Sequence, residues 1–116
     1  MRDEGFMFPR EDRIRLTQAG YKKLCDMIDE RDGGRCIICG APSGLHHHHV
    51  RFRSAWGSDR EDNMVLLCAA CHDIYAHGTK EKGYRTMFQD YLESKHVREW
   101  REAHRADLER IYKMRK

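Results

Sequence analysis

Two cysteine pairs with the same internal spacing, Cys36-x-x-Cys39 and Cys68-x-x-Cys71, constrain this chain of 116 residues more than any other feature. Each C-x-x-C turn presents two sulfurs to one ion, and two such turns complete a tetrahedron of thiolates with no open position. Gly40, directly after Cys39, suits the tight turn of a knuckle. The 28 residues between the pairs exceed a minimal ribbon, so the spacer must hold structure of its own. Five cysteines in all make an odd number, which fits a disulfide framework poorly. The set predicts a structural Zn2+ site, and in so small a chain metal-binding free energy becomes folding free energy. Cys25 has no cysteine at metal spacing and reads as a small buried residue.

Around that staple the chain reads as one domain, 1–116, in three parts. Residues 1–13 are charged and irregular, with Pro9 as a breaker. An N-terminal helix is expected within 14–32: Thr17 can cap it, Tyr21, Leu24 and Ile28 share a face, and Gly33-Gly34 ends it. Residues 35–78 hold short apolar pieces, with strands expected at Leu45 to Arg53 and Met64 to Leu67 and a helix starting near Cys71. Residues 79–116 form a helical extension with two apolar stripes, one of Tyr84, Phe88, Tyr91 and Leu92, the other of Val97, Trp100, His104, Leu108 and Ile111. Trp100 reads as core packing. No run approaches the ~20 apolar residues of a membrane span. Nor does Met1-Arg2-Asp3-Glu4 have an apolar run behind it, so no signal peptide or membrane partner is expected and the expected location is the cytoplasm. The net charge is +3, and the excess lies in 79–116, with 11 basic against 7 acidic side chains. That permits a polyanionic partner without demanding one.

A closed four-cysteine site has no use for histidines, yet the spacer holds His46-His47-His48-His49, and His72 follows Cys71. Imidazole has two uses here. Near neutral pH it can take a proton from water, and as a neutral ligand it can hold a divalent ion. On a regular strand, period two pairs His47 with His49, or His46 with His48, and sets His48 and His49 on opposite faces. On the helix side, Cys71 and His72 lie ~100° apart, so one can face each metal.

The run His48-His49-Val50-x-x-Arg53-Ser54, then Gly57-Ser58-Asp59, then Asn63-Met64-Val65-Leu66-Leu67-Cys68-x-x-Cys71-His72 resembles the HNH endonuclease family. Cys36-x-x-Cys39-Gly40 matches its zinc-bearing variety, and Arg31-Asp32-Gly33 before the first knuckle is also typical. The resemblance spans about residues 30–78. It implies a small α+β fold: a ββα-metal core stapled by the four-cysteine zinc site, flanked by an N-terminal helix and C-terminal helices. It implies phosphodiester hydrolysis in DNA with one catalytic divalent cation. His49 would be the general base, His48 and His72 the ligands of that cation, and Asn63 the middle residue that holds the loop. In this family the adjacent pair sits where the strand bends into the loop. Arg53, and less closely Arg51, would contact phosphate; both also read as solvated strand residues. His47 remains a candidate ligand or phosphate contact. His77 follows His72 by five residues where relatives have four, which leaves a supporting contact to a ligand, or a phosphate contact, open. Imidazole ligands make Mn2+, Ni2+ or Zn2+ plausible beside Mg2+. The expected activity is nicking with low sequence specificity by a monomer or weak dimer; the protein reads as phage-related, with phage packaging, restriction and a mobile element all open as its setting. The rival readings are a non-catalytic zinc ribbon that binds nucleic acid and a zinc adaptor acting through its helices.

Overall fold

In a computed structural model of the chain, residues 13–76 and 81–116 are described, Glu81 and Lys82 by their backbone alone. Among these residues lie five helices and one two-stranded antiparallel sheet. The reading of residues 1–12 lies outside them.

Helix α1, Gln18–Arg31, starts where expected. The Thr17 hydroxyl accepts from the Gly20 amide at 3.1 Å, satisfying one of the four free amides of the first turn. Leu24 and Ile28 on one face are fully buried. Strand β1 is Leu45–His49 and strand β2 is Met64–Cys68. Their register pairs His46 with Leu67, His47 with Leu66, His48 with Val65 and His49 with Met64. β1 thus stops four residues before the expected end at Arg53. After it come a bend and a 3-10 turn at Arg53–Ala55, and the loop folds back so that Gly57 donates to the Phe52 carbonyl at 2.8 Å. A Cβ at Gly57 would stand 1.7 Å from the Arg51 carbonyl oxygen, so only glycine allows this closure.

The short helix α2, Ala69–Cys71, follows β2 at once and continues as a wider π turn, His72–Ala76. Such turns displace side chains from the α-helical path and recur at functional sites. The C-terminal extension divides into α3, Glu81–Leu92; α4, Lys95–Ala103; and α5, Arg105–Tyr112. Ser94 caps α4 by accepting from the Val97 amide, which breaks the extension between its two stripes.

All five residues of β2 are buried, because both faces of the hairpin are covered. One face packs Met64 with Ile14, Leu16, Leu24, Cys25, Ile28, Trp100, Leu108 and Ile111. The other packs Val65 and Leu67 with Val50, Phe88, Leu92 and three of the knuckle cysteines. The two apolar stripes therefore serve different cores: Phe88 and Leu92 cover the knuckle face, Trp100, Leu108 and Ile111 the α1 face. Each fully buried aliphatic side chain contributes roughly 1.5–3 kcal/mol of transfer free energy. Arg31, at the end of α1, is buried and ties the layers together. It pairs with Asp32 at 2.7 Å and donates to the Glu61 and Met64 carbonyls at 2.6 and 2.5 Å. Asp32 in turn accepts from the Leu66 amide and the Tyr91 hydroxyl.

Candidate active site and metal centre

The first knuckle closes through Gly40 at φ 81°, with its amide on the Cys36 carbonyl at 2.9 Å and the Cys36 amide on the Ala41 carbonyl at 3.0 Å. The Ile37 amide then donates to the Leu66 carbonyl, which fastens the knuckle to β2. The second knuckle spans the end of β2 and α2. The sulfurs of Cys36, Cys39, Cys68 and Cys71 all lie within 4.8 Å of one another, and the four cysteines are positioned to hold a metal ion. Burial opposes ionisation of Cys36, but the backbone amides of Cys39, Cys68 and Ile38 outweigh it and bring the thiol down to about 6. Cys71 goes the other way, pushed up by burial and by its three thiol neighbours, so without an ion the four sulfurs share protons that a metal, which takes thiolates, would displace. Cys25 sits apart in the α1-face core, its thiol pushed up to about 11 chiefly by burial.

The histidine run divides strictly by period two. His46 and His48 share the face of Leu67 and Val65, and the first residue of the π turn meets them there. His72 stacks on His46 with ring centroids 5.2 Å apart and meets His48 edge-on at 5.2 Å. His48 is buried, with Phe52 and Phe88 also edge-on to its ring. Cys71 belongs to the thiol cluster and His72 to the imidazole cluster, so adjacent residues serve the two groups.

His47 and His49 face α1 instead. The His47 Nε2 lies 2.6 Å from an Asp29 carboxylate oxygen. The His49 Nε2 lies 2.9 Å from Oδ1 of Asp59, and its ring is parallel to Tyr21 with centroids 6.2 Å apart. The structure thus brings His48 and His72 together and sets His49 on the opposite face of the strand. His49 is the last residue of β1, so its ring stands where the ladder ends and the bend begins.

Asn63 holds that bend. Its Oδ1 accepts from the Arg51 amide at 2.8 Å, and its Nδ2 donates to the Arg51 and Ser58 carbonyls at 3.0 Å each. The Arg51 guanidinium donates to the Ala55 carbonyl within the same loop. Arg53 places Nε and Nη2 at 3.2 and 3.0 Å from Asp59 and lies over Tyr21, with half its side chain exposed. His77 lies outside the described residues.

The residues that sequence reasoning left without a role are mostly carboxylates. Asp59 is 1% exposed and accepts from His49, Arg53 and, through Oδ2, the Leu16 amide. Burial works against its ionisation, but these donors prevail and hold it below the usual carboxylate range. Glu61 is equally buried and meets the Tyr112 hydroxyl and Arg101. His46 was visible in the sequence only through the period-two pairing with His48.

Among curated proteins, Wee1-like protein kinase 1-B of Xenopus laevis is 31% identical over 74 residues, covering 64% of this chain and 12% of the kinase. The chain spans about 12% of that kinase's length, and the kinase's name carries nothing over to it. Residues 36–78 match the family model of the HNH endonucleases. Both strands, α2 with its π turn and all four clustered cysteines fall inside that stretch. Over residues 36–78, then, this chain is similar to the HNH endonucleases, with a ββα arrangement of elements and four cysteines positioned to hold a metal ion.

Proposed function

We propose that the chain is a metal-dependent DNA endonuclease that hydrolyses phosphodiester bonds, nicking with low sequence specificity. The observation that carries this reading is the meeting of His48, from β1, with His72, from the π turn, inside the HNH-like stretch. Two imidazoles from different elements offer neutral nitrogen donors to one divalent cation, Mg2+ or Mn2+ and also Ni2+ or Zn2+ by ligand chemistry. Such an ion, when bound, neutralises charge on the phosphoryl group and on the departing 3′ oxygen. The four cysteines hold a structural Zn2+, which keeps Cys71, and with it His72, in place.

His49 takes the proton of a water molecule, and the hydroxide oxygen forms the new bond to phosphorus. The bond from phosphorus to the 3′ oxygen breaks, and that oxygen takes a proton from solvent, leaving 5′-phosphate and 3′-hydroxyl ends. Asn63 keeps the bend between β1 and β2 closed so that His49 is presented at its edge. Arg53, half exposed beside His49, offers a guanidinium edge to a neighbouring phosphate. Arg51, His47 and His77 remain further candidates for phosphate contact. The domain 1–116 acts as a monomer or weak dimer on DNA.

A second reading keeps the same stapled core as a nucleic-acid-binding module without catalysis. The opposite facing of His48 and His49 favours it. Relaxation of supercoiled plasmid with Mg2+, Mn2+ or EDTA separates the two. The nuclease reading expects metal-dependent nicking that falls about 10²–10⁴-fold in His49→Ala, the usual loss of a general base. Absence of nicking with every metal leaves the binding module, whereas undiminished nicking in His49→Ala removes His49 as the base.

A further inference from the structure

We propose that Asp59 is a positioning residue, whose buried carboxylate fixes the His49 ring at the end of β1 and decides which ring nitrogen is left for water. The inference rests on the reading of His49 as the base. An ionised carboxylate only accepts hydrogen bonds, so the nitrogen that faces it must carry the hydrogen. That nitrogen is Nε2, at 2.9 Å. The lone pair, and with it the capacity to take a proton, is then on Nδ1.

Several contacts make this more than a chance pair. Asp59 is kept ionised by Arg53 at 3.0 Å and by Arg15 at 3.5 Å. Its other oxygen accepts the Leu16 amide at 3.1 Å, which stops the carboxylate from turning away. Tyr21 lies parallel to the His49 ring with centroids 6.2 Å apart, and the Arg53 guanidinium that pairs with Asp59 also lies over Tyr21 at 4.9 Å, so one arginine joins both neighbours of His49. The loop that delivers Asp59 is tied by Asn63 through the Ser58 carbonyl. His47 has a similar carboxylate in Asp29, but that one is 44% exposed, so of these two histidines it is His49 whose carboxylate is buried. When Nδ1 takes the proton of water, the ring becomes an imidazolium with both nitrogens protonated. Asp59 stays ionised opposite it and balances the new charge, while the Nε2 hydrogen does not move.

The test uses the full chain with its cysteine site loaded. Nitrogen-15 NMR of the imidazoles, with the His49 signals assigned by their loss in His49→Ala, is expected to show hydrogen on Nε2 of His49. Asp59→Asn keeps an oxygen for the Leu16 amide, so the fold should persist, as a melting curve checks. In that variant the Nε2–H preference is expected to be lost. Its kcat for plasmid nicking is expected to fall ~10–100-fold, with KM within about twofold of wild type. Some fall in melting temperature is expected on either view, but a purely structural Asp59 would leave kcat unchanged below the transition. Wild-type His49 with its hydrogen on Nδ1, or Asp59→Asn nicking at the wild-type kcat, overturns the proposal. A wild type that never nicks takes the nuclease reading down as well, and that outcome differs plainly from an active wild type with an indifferent Asp59→Asn.

Discussion

The two faces of the β1–β2 hairpin carry the same residue type at alternating positions and treat it in opposite ways. Toward α1, His47 and His49 each meet a carboxylate, and beneath them lies a core of carbon side chains from α1, α4 and α5. Toward the knuckles, His46 and His48 meet a third imidazole, His72, beside four clustered thiols. A histidine facing a carboxylate is restrained in ring orientation and tautomer. A histidine facing other imidazoles presents nitrogen donors together, which suits an ion. Four identical letters in sequence thus acquire two roles from strand register alone. Both faces bury apolar area, but the knuckle face also gathers the groups that gain most from a metal.

Removing the metal should break this comparison most severely. Chelation is expected to leave four thiols at mutual distances that suit a shared ion and nothing else. Apparent binding free energies of structural zinc reach about 10–16 kcal/mol in small peptides, so loss of it exceeds the stability of most domains. We expect a strong chelator, or Cys71→Ser, to abolish the cooperative thermal transition seen by circular dichroism, with release of one tightly held Zn2+ measured in parallel. An unchanged transition in metal-free protein would mean that the α1-face core alone sustains the fold.

Part of that imbalance is legible in the sequence itself. Thr17, the paired knuckles and the apolar run of β2 were readable because each rests on local rules of capping, ligand spacing and burial. The two stripes of 79–116 were readable as helical, but their division between two cores was not, because the Ser94 cap only matters once the chain must turn from one face to the other. The end of β1 was missed for a similar reason. Val50, Arg51, Phe52 and Arg53 keep an alternating pattern, and only the backbone approach of Gly57 to Arg51 shows that the strand cannot continue. The family motif supplied His48, His49, Asn63 and His72 in order. It did not say that the register would send His48 and His49 to opposite faces, although period two did. Asp59 was hidden in a polar loop with Glu61 and Asp62 beside it, and sequence does not tell which acid of such a loop is buried.

The loop itself offers the next test, because it serves both faces. Gly57→Ala would place a methyl 1.7 Å from the Arg51 carbonyl oxygen and 2.8 Å from that of Phe52, both backbone atoms that cannot swing aside. Overpacking of this kind costs roughly 1–3 kcal/mol and often more. The knuckles lie outside the loop, so zinc content should be retained while the denaturation midpoint falls. A variant as stable as wild type would show that the loop has another closed form.

The smallest expected effect separates the two pairs on the α1 face. Asp29 and His47 are close, at 2.6 Å, yet Asp29 is 44% exposed and water competes for both groups. Exposed ion pairs contribute about 0–1 kcal/mol. Asp29→Asn should therefore shift a urea midpoint only slightly, by an amount equivalent to less than about 1 kcal/mol. Asp59, with the same kind of partner but 1% exposed, is bound to Leu16 and Arg53 as well, and its loss should cost more. If Asp29→Asn destabilises the protein as much as Asp59→Asn does, burial is not what distinguishes the two histidines. The restraint on His49 would then be a property of the whole α1 face rather than of one carboxylate.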